Sequence, residues 1–156
     1  MKLGLRILLV LLAGALVGAA ALWWMRPGML PRSRNPADKP NATTEAIKRG
    51  EYLARAGDCV ACHSEPNGKP FAGGRAMPTP FGSLFVPNIT PDDETGIGLW
   101  TADEFYRMLH TGVSRDGTLL YPAMPFASYT KVTRADSDAI FSFLQSVTPV
   151  RQTNRP

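Results

Sequence analysis

Two cysteines and a histidine stand close together in the chain, in the order Cys59-Val60-Ala61-Cys62-His63. Two thiols one turn of chain apart match the spacing of the two vinyl groups of a porphyrin, to which they can add as thioethers. The next residue, the histidine, is then held beneath the iron, where an imidazole nitrogen binds as the proximal ligand. The motif therefore predicts one covalently attached haem c, bound through Cys59, Cys62 and His63.

Three other uses of this cysteine pair are weaker. A thioredoxin-like redox pair is expected among alternating strands and helices, a pattern that does not surround this motif. A zinc site needs about four ligands, and the chain holds two cysteines and two histidines in all, Cys59, Cys62, His63 and His110. A disulfide between the two cysteines would close a loop too small to stabilise the fold much.

A second iron ligand is predicted in the stretch Tyr121-Pro122-Ala123-Met124-Pro125-Phe126. A methionine between two prolines does not belong to a helical core, and a rigid loop would aim its thioether at the iron from the opposite face. Met77 is the competing candidate, and Met108 is expected inside a helix. His110 is expected to be a surface histidine at the end of that helix rather than an iron ligand.

Three helices, predicted from hydrophobic spacing and capping residues, would position these groups. Their predicted ranges are about 44–56, 101–109 and 134–146, with caps at Thr43 or Thr44, at Thr101 with Glu104, and at Thr133. The first helix leads directly into the Cys59 motif. Gly50 lies in its interior, where glycine costs about 1 kcal/mol against alanine. A close crossing of the first and last helices would account for that glycine.

The stretch between Ser64 and Gly98 is predicted to be loop, because closely spaced prolines and glycines leave no room for a long regular element. Its apolar side chains are expected to pack against the porphyrin, since a structureless loop of this length is otherwise unusual in a compact domain. The acidic run Asp92-Asp93-Glu94 is expected to be a solvated turn rather than a calcium site, because its spacing lacks the alternation of an EF-hand.

The amino-terminal part of the chain contains an uncharged run from Ile7 to Met25. It is long enough to cross about 30 Å of hydrocarbon, and Trp23 and Trp24 close it as interfacial aromatics do. We expect a transmembrane helix within residues 1–26. The alternative is a cleaved secretory signal, which the basic start and the small residues around Ala20 would also fit. Both interpretations place the remainder of the chain on the periplasmic side.

Proline spacing and charge divide the chain beyond this segment. Residues 27–43 are predicted to be a proline-rich linker, 44–150 the haem domain and 151–156 a carboxyl-terminal tail. The net charge of +4 is misleading, because residues 1–40 hold six basic side chains against one acidic, a balance of +5. Residues 41–156 hold 11 basic and 12 acidic side chains, a balance of −1. A nucleic-acid partner is therefore not expected.

The order of helix, C-x-x-C-H motif, long loop, helix, proline-flanked methionine and final helix resembles a class I cytochrome c. Six shorter motifs resemble one haem module of the cytochrome c subunits of bacterial membrane-bound alcohol, aldehyde and gluconate dehydrogenases. They are Arg49-Gly50-Glu51-Tyr52-Leu53, Phe71-Ala72-Gly73-Gly74, Thr79-Pro80-Phe81-Gly82, Asn88-Ile89-Thr90-Pro91, Thr95-Gly96-Ile97-Gly98 and Tyr121-Pro122-Ala123-Met124-Pro125-Phe126. The resemblance covers about residues 45–150 and implies an all-α cytochrome c fold, with short helices and long loops around one haem.

The same resemblance implies that Cys59 and Cys62 form the thioethers, His63 is the proximal ligand and Met124 the distal one. Those subunits typically string three modules together, whereas this chain has one C-x-x-C-H motif. The expected function is a membrane-anchored, single-haem electron carrier in the inner membrane, with the haem domain in the periplasm. Its expected partners are a membrane dehydrogenase or other respiratory-complex subunits, without a small-molecule substrate.

No catalytic activity is expected from such a chain alone, since an iron bound by both His63 and Met124 has no vacant position. The main alternative is a haem-based sensor or small-ligand binder in which Met124 dissociates to admit a gas or peroxide. A purely structural accessory subunit is a third interpretation. Carbon monoxide binding to the reduced protein distinguishes the first two, and a haem that stays in one redox state during turnover marks the third.

Overall fold

The computed structural model of the protein describes residues 2–24 and 42–155. Most of the predicted linker, residues 27–41, lies outside these ranges, as do Arg26 and the end of the predicted tail at Pro156. The described elements are α1 (Lys2–Trp24), α2 (Thr44–Ala56), α3 (Cys59–Cys62), β1 (Ala76–Thr79), β2 (Gly82–Phe85), α4 (Ala102–Thr111), α5 (Phe126–Tyr129) and α6 (Arg134–Ser146).

Helix α1 contains an apolar span from Arg6 to Trp23, with a mean hydropathy of 2.1 and no part of it buried. Its 18 residues measure about 27 Å at 1.5 Å per residue. By length and composition this helix can cross a membrane, and an amino-terminal signal sequence would meet the same criteria.

The domain is closed by a close crossing between α2 and α6, as the interior glycine of α2 predicts. Gly50 is buried there, and a Cβ added to it would lie 1.9 Å from the carbonyl oxygen of Ala139. Each helix begins at a threonine whose side chain accepts a backbone N–H: Thr43 from Ala46 in α2, and Thr133 from Asp136 in α6. These helix bounds and caps confirm the sequence predictions.

Helix α4 supplies the third side of the core. Thr101 and Glu104 form the predicted capping box, each side chain accepting the other residue's backbone N–H. Phe105 of α4 stacks on Phe141 of α6, with ring centroids 5.2 Å apart. Met108 is buried in the same cluster, which fits its predicted place inside a helix. The helix ends before Gly112, whose φ of +66° suits glycine.

The predicted loop between Ser64 and Gly98 contains a short β-hairpin. Strands β1 and β2 pair antiparallel, with Ala76 opposite Phe85 and Thr79 opposite Gly82. Pro78 within β1 is compatible with pairing, because both strands of a two-stranded sheet are edges and a missing N–H can face outward. The described chain is therefore mainly helical rather than all-α, and the loop prediction is wrong over these eight residues.

Candidate haem-binding site

The two cysteines lie at the ends of the single helical turn α3 and are free thiols, both half-buried. Only Gly57 and Asp58 separate α3 from α2, and Asp58 makes the sharp change of direction with a φ of +61°. The backbone N–H of His63 donates to the carbonyl oxygen of Cys59 over 2.9 Å, which closes the turn. The motif is therefore a compact corner that presents two thiols one turn apart.

Burial raises the pKa of Cys59 to about 11. Reactive dithiols work the opposite way, since redox-active C-x-x-C cysteines have lowered pKa values that keep them as thiolates at neutral pH. The environment of Cys59 therefore disfavours the thioredoxin-like interpretation of the pair.

The imidazole of His63 is oriented by a backbone carbonyl 24 residues further along the chain. Its Nδ1 lies 2.8 Å from the carbonyl oxygen of Pro87. A carbonyl can only accept, so Nδ1 carries the proton and donates, which leaves the lone pair on Nε2. Burial lowers the pKa of His63, although the Pro87 carbonyl acts in the other direction. The ring is thus held neutral, in the tautomer that binds a metal through Nε2.

Gly73 makes this arrangement sterically possible. Its backbone N–H donates to the carbonyl oxygen of His63 over 2.8 Å, and its φ is +75°. A Cβ at this position would lie 2.5 Å from the amide nitrogen of Asn88 and 2.6 Å from the Pro87 carbonyl oxygen. Glycine is required here both for the left-handed backbone and for the close approach to the Pro87–Asn88 peptide.

Met124 lies in a tight loop directly before α5. Its N–H donates to the carbonyl of Tyr121 over 3.1 Å, and its side chain packs, half-buried, against the same core cluster as Cys59. In α5, the hydroxyl of Tyr129 donates to the carbonyl oxygen of Gly57 over 2.7 Å. Burial raises the pKa of Tyr129, an effect that Cys59 reinforces. The methionine loop is therefore tied to the corner that carries the two cysteines.

The other candidate ligands lie in strand β1 and helix α4. Met77 is half-buried in strand β1, and Met108 is part of the core. His110 is half-buried on the last turn of α4, where its Nδ1 is 2.9 Å from the carbonyl oxygen of Tyr106 and the two rings are in tilted contact, with centroids 4.0 Å apart. The Nδ1 of that histidine is therefore bonded within its own helix.

The acidic run forms a turn stabilised by its own side chains. One carboxylate oxygen of Asp92 accepts from the backbone N–H and the hydroxyl of Thr95, both over 2.7 Å, and from the N–H of Glu94. The bonds from Thr95 lower the pKa of Asp92. Within residues 2–24 and 42–155, no three His, Cys, Asp or Glu side chains cluster in a way that could hold a metal ion.

A buried polar network behind Pro87 was not predicted. Asn88 is 2% exposed, and its side-chain N–H groups donate to the carbonyl of Val150 over 2.7 Å and to Thr95 over 3.1 Å. Its side-chain oxygen accepts from the backbone N–H of Thr90 over 2.9 Å. The motif Asn88-Ile89-Thr90-Pro91 was recognised as part of the family resemblance, but no local pattern indicated that Val150 lies against it.

Residues 151–155, predicted as part of a tail, continue this network. The N–H of Gln152 donates to the hydroxyl of Thr95 over 3.0 Å. The side-chain oxygen of Asn154 accepts from the backbone N–H of Asn88 over 2.7 Å, and its NH₂ donates to the carbonyl of Thr95 over 3.0 Å. Residues 150–154, which we term the carboxyl-terminal strap, thus lie against the loop that orients His63.

No protein-family model matches the sequence. It is 51% identical over 115 residues to the gluconate 2-dehydrogenase cytochrome c subunit of Pantoea cypripedii. The matched region covers 73% of this chain and 26% of that protein. It is 40% identical over 129 residues to the alcohol dehydrogenase (quinone) cytochrome c subunit of Gluconobacter oxydans, covering 82% of this chain and 27% of that protein. A diheme cytochrome c-type protein of Cereibacter sphaeroides is 36% identical over 146 residues, covering 90% of this chain and 48% of that protein.

The chain resembles a cytochrome c over most of its length. It matches part of the gluconate and alcohol dehydrogenase cytochrome c subunits, which confirms the resemblance predicted from the sequence motifs. The chain spans about a quarter of the length of the gluconate and alcohol dehydrogenase subunits that it matches.

The side chains of the site have the chemistry that haem c requires. Cys59 and Cys62 offer two free thiols at the spacing of one helical turn. His63 offers an unprotonated Nε2, and Met124 offers a thioether on a loop tied to the cysteine corner. A soft sulfur ligand and a neutral imidazole are the axial donors of electron-transfer haems. The donor set of this chain therefore fits the cofactor.

Proposed function

We propose that this chain is a membrane-anchored cytochrome c with a single haem. It would carry single electrons from a membrane dehydrogenase or quinol-oxidising complex to a terminal oxidase or soluble carrier. Cys59 and Cys62 would form the thioether bonds, with His63 as the proximal and Met124 as the distal ligand. The observation that carries this proposal is the Pro87 carbonyl, 2.8 Å from Nδ1 of His63, because it fixes the metal-binding tautomer.

A bound haem c supplies a one-electron couple between ferric and ferrous iron. The chain's own residues would set the reduction potential of that couple. The hydrogen bond from His63 to Pro87 raises the basicity of the imidazole, which favours the ferric state. A Met124 thioether acts in the opposite direction and raises the potential. Because both axial positions would be filled, small-molecule chemistry at the iron is blocked, and the chain by itself would catalyse no reaction.

The proposed layout keeps the predicted anchor in residues 1–26 and linker over 27–43, and it extends the haem domain, predicted as 44–150, through Asn154 of the strap. Helix α1 supports the anchor, since its span from Arg6 to Trp23 is apolar and exposed. The haem domain would face the periplasm from the inner membrane. Similarity to subunits of gluconate and alcohol dehydrogenases supports a dehydrogenase as the partner. The anchor would raise the local concentration of the haem domain near such a complex.

The ligand assignment is tested on the full chain, exported in a host competent for cytochrome maturation and purified in detergent. We expect a coloured, low-spin protein whose reduced form does not bind carbon monoxide. Met124→Ala should bind carbon monoxide readily, because it opens the distal position. Met77→Ala is the matched control and should behave like the wild type. If Met77→Ala binds carbon monoxide and Met124→Ala does not, the distal assignment is wrong.

Two other outcomes would contradict haem attachment or the electron-transfer role itself. A colourless product from a maturation-competent host would mean that no haem is attached to this motif. Ready carbon monoxide binding by the unaltered reduced protein would instead favour a sensor with a labile methionine. The partner is tested separately, by solubilising membranes gently and identifying the dehydrogenase or oxidase subunits that copurify. Recovery of the protein without any respiratory subunit would contradict the proposed complex.

A further inference from the structure

The peptide unit between Pro87 and Asn88 is hydrogen bonded at both of its ends. Its carbonyl oxygen accepts from Nδ1 of His63 over 2.8 Å. Its N–H donates to the side-chain oxygen of Asn154 over 2.7 Å. The C=O and N–H of one peptide are conjugated, so a strong acceptor at the N–H shifts electron density toward the carbonyl oxygen. Asn154 therefore strengthens the group that holds the His63 ring.

The orientation of the Asn154 amide is determined by its two partners. The backbone N–H of Asn88 can only donate, so the oxygen of Asn154 must face it. The carbonyl of Thr95 can only accept, and it lies 3.0 Å from the Asn154 nitrogen. Both contacts are satisfied by one orientation and neither by the flipped one.

The shared peptide is also fixed on its other sides. Gly73 packs so closely against it that an added Cβ would lie 2.5 Å from the Asn88 nitrogen. The buried side chain of Asn88 is bonded to Val150, Thr95 and Thr90. A change at Asn154 therefore acts on a peptide whose position other contacts maintain, so its effect on polarisation can be separated from a gross displacement.

We propose that Asn154 is a positioning residue for the proximal histidine and lowers the reduction potential of the haem through the Pro87–Asn88 peptide. This inference rests on the proposed role of His63 as an iron ligand. A better carbonyl acceptor draws the Nδ1 proton more strongly and makes the imidazole a better electron donor. A more donating imidazole favours ferric iron. The strap that contains Asn154 thus takes part in tuning the cofactor as well as in closing the fold.

The test compares midpoint potentials of the full-length holoprotein and three variants. Asn154→Ala removes the acceptor, and we expect the ratio of reduced to oxidised haem at a fixed ambient potential to rise about two- to fivefold. At 59 mV per tenfold change for one electron, this is an upward shift of roughly 20 to 40 mV. Asn154→Asp retains an acceptor oxygen and should not raise the potential.

Gln152→Ala is the matched control for loss of a side chain from the strap, because it leaves the bond from the Gln152 backbone N–H to Thr95 in place. It is neutral and lies in the same segment, but its side chain approaches Gly74 rather than the Pro87–Asn88 peptide. We expect its potential to equal that of the wild type. Asn154→Asp is the second control, because it loses the donor to the Thr95 carbonyl and keeps the acceptor for Asn88. If Asn154 served only to tether the strap, Asn154→Asp would raise the potential as Asn154→Ala does, and the proposal would fail.

A second measurement reads the hydrogen bond itself. In the diamagnetic reduced protein, proton NMR should show faster solvent exchange of the His63 Nδ1–H in Asn154→Ala than in the wild type or Gln152→Ala. Unchanged exchange and unchanged potential in Asn154→Ala, with a normal low-spin spectrum, would overturn the proposal while leaving the electron carrier intact. Failure of the proposed function appears earlier, as a wild-type spectrum without histidine-ligated haem.

Discussion

Replacing Gly50 with alanine sets two physical effects against each other at one position. Helix propensity alone predicts that the change stabilises the fold by about 1 kcal/mol. The crossing of α2 and α6 predicts the opposite sign. A Cβ at Gly50 would lie 1.9 Å from the carbonyl oxygen of Ala139, 2.5 Å from its carbonyl carbon and 2.9 Å from the Cβ of Phe143.

The size of the steric effect depends on the atoms that block the new methyl group. To restore an ordinary contact of about 3.4 Å from 1.9 Å, the helices must separate locally by roughly 1.5 Å. The obstacle is backbone, which cannot rotate away as the tip of a side chain can. We therefore expect overpacking to cost about 3 kcal/mol, which leaves a net loss of about 2 kcal/mol in the free energy of unfolding.

The assay is equilibrium unfolding in denaturant of the detergent-solubilised holoprotein, followed by far-ultraviolet circular dichroism. Lys48→Ala is the matched control, because Lys48 is exposed on the same helix and should change stability by no more than about 0.5 kcal/mol. A Gly50→Ala protein as stable as the wild type, or more stable, would refute the close crossing and leave helix propensity as the dominant effect.

Two further changes probe the site and the surface. Gly73→Ala should destabilise the fold by about 2 kcal/mol or more and speed exchange of the proximal histidine's Nδ1–H, because the methyl group would displace the Pro87–Asn88 peptide. Arg49→Ala should cost about 0.2–1 kcal/mol at pH 7, since it removes a surface ion pair with Asp136. That pair lowers the pKa of Asp136 from its ordinary value of 3.8, so its contribution is present above that pH and is lost as the pH falls through the lowered pKa.

Gly73→Ala is tested against a control variant, and Arg49→Ala is tested by lowering the pH. Gly82→Ala places a Cβ at a positive φ of +131° with nothing within 4 Å, so it shares backbone strain with Gly73→Ala but not the collision. Equal losses in the two glycine variants would show that strain alone is responsible. For the ion pair, unfolding is measured from pH 7 downward, and an Arg49→Ala deficit that persists unchanged at acidic pH would contradict the linkage to Asp136.

The local parts of the fold could be predicted from the sequence because their signals lie within one turn of chain. Thr43, Thr133 and the pair Thr101 with Glu104 each cap the helix start that they predict. The packing of α2 on α6 could also be anticipated, because an interior glycine in a helix calls for a close neighbour. The roles assigned to Cys59, Cys62, His63 and Met124 stay predictions, although the structure gives each a suitable environment.

The contacts that orient the site could not be predicted, because they join residues far apart in the chain. Any carbonyl of the long loop could have accepted from His63, and only the path of the backbone selects Pro87. The bond between Asn88 and Asn154 spans 66 residues and leaves no periodic trace in the sequence. The hairpin escaped detection for a different reason: its strands have four residues each, and Pro78 argues locally against a strand.

The hydrogen bonds around Asn88 determine where the boundary of this domain should lie when it is fused to another protein. A fragment ending at residue 149 would remove Val150, whose carbonyl accepts from the buried Asn88 amide, and would leave one N–H of that amide without its acceptor. A graft onto another anchor or fusion protein should therefore start no later than Thr43, which caps α2, and run through Asn154. The portable unit is longer than the span between its outermost helices.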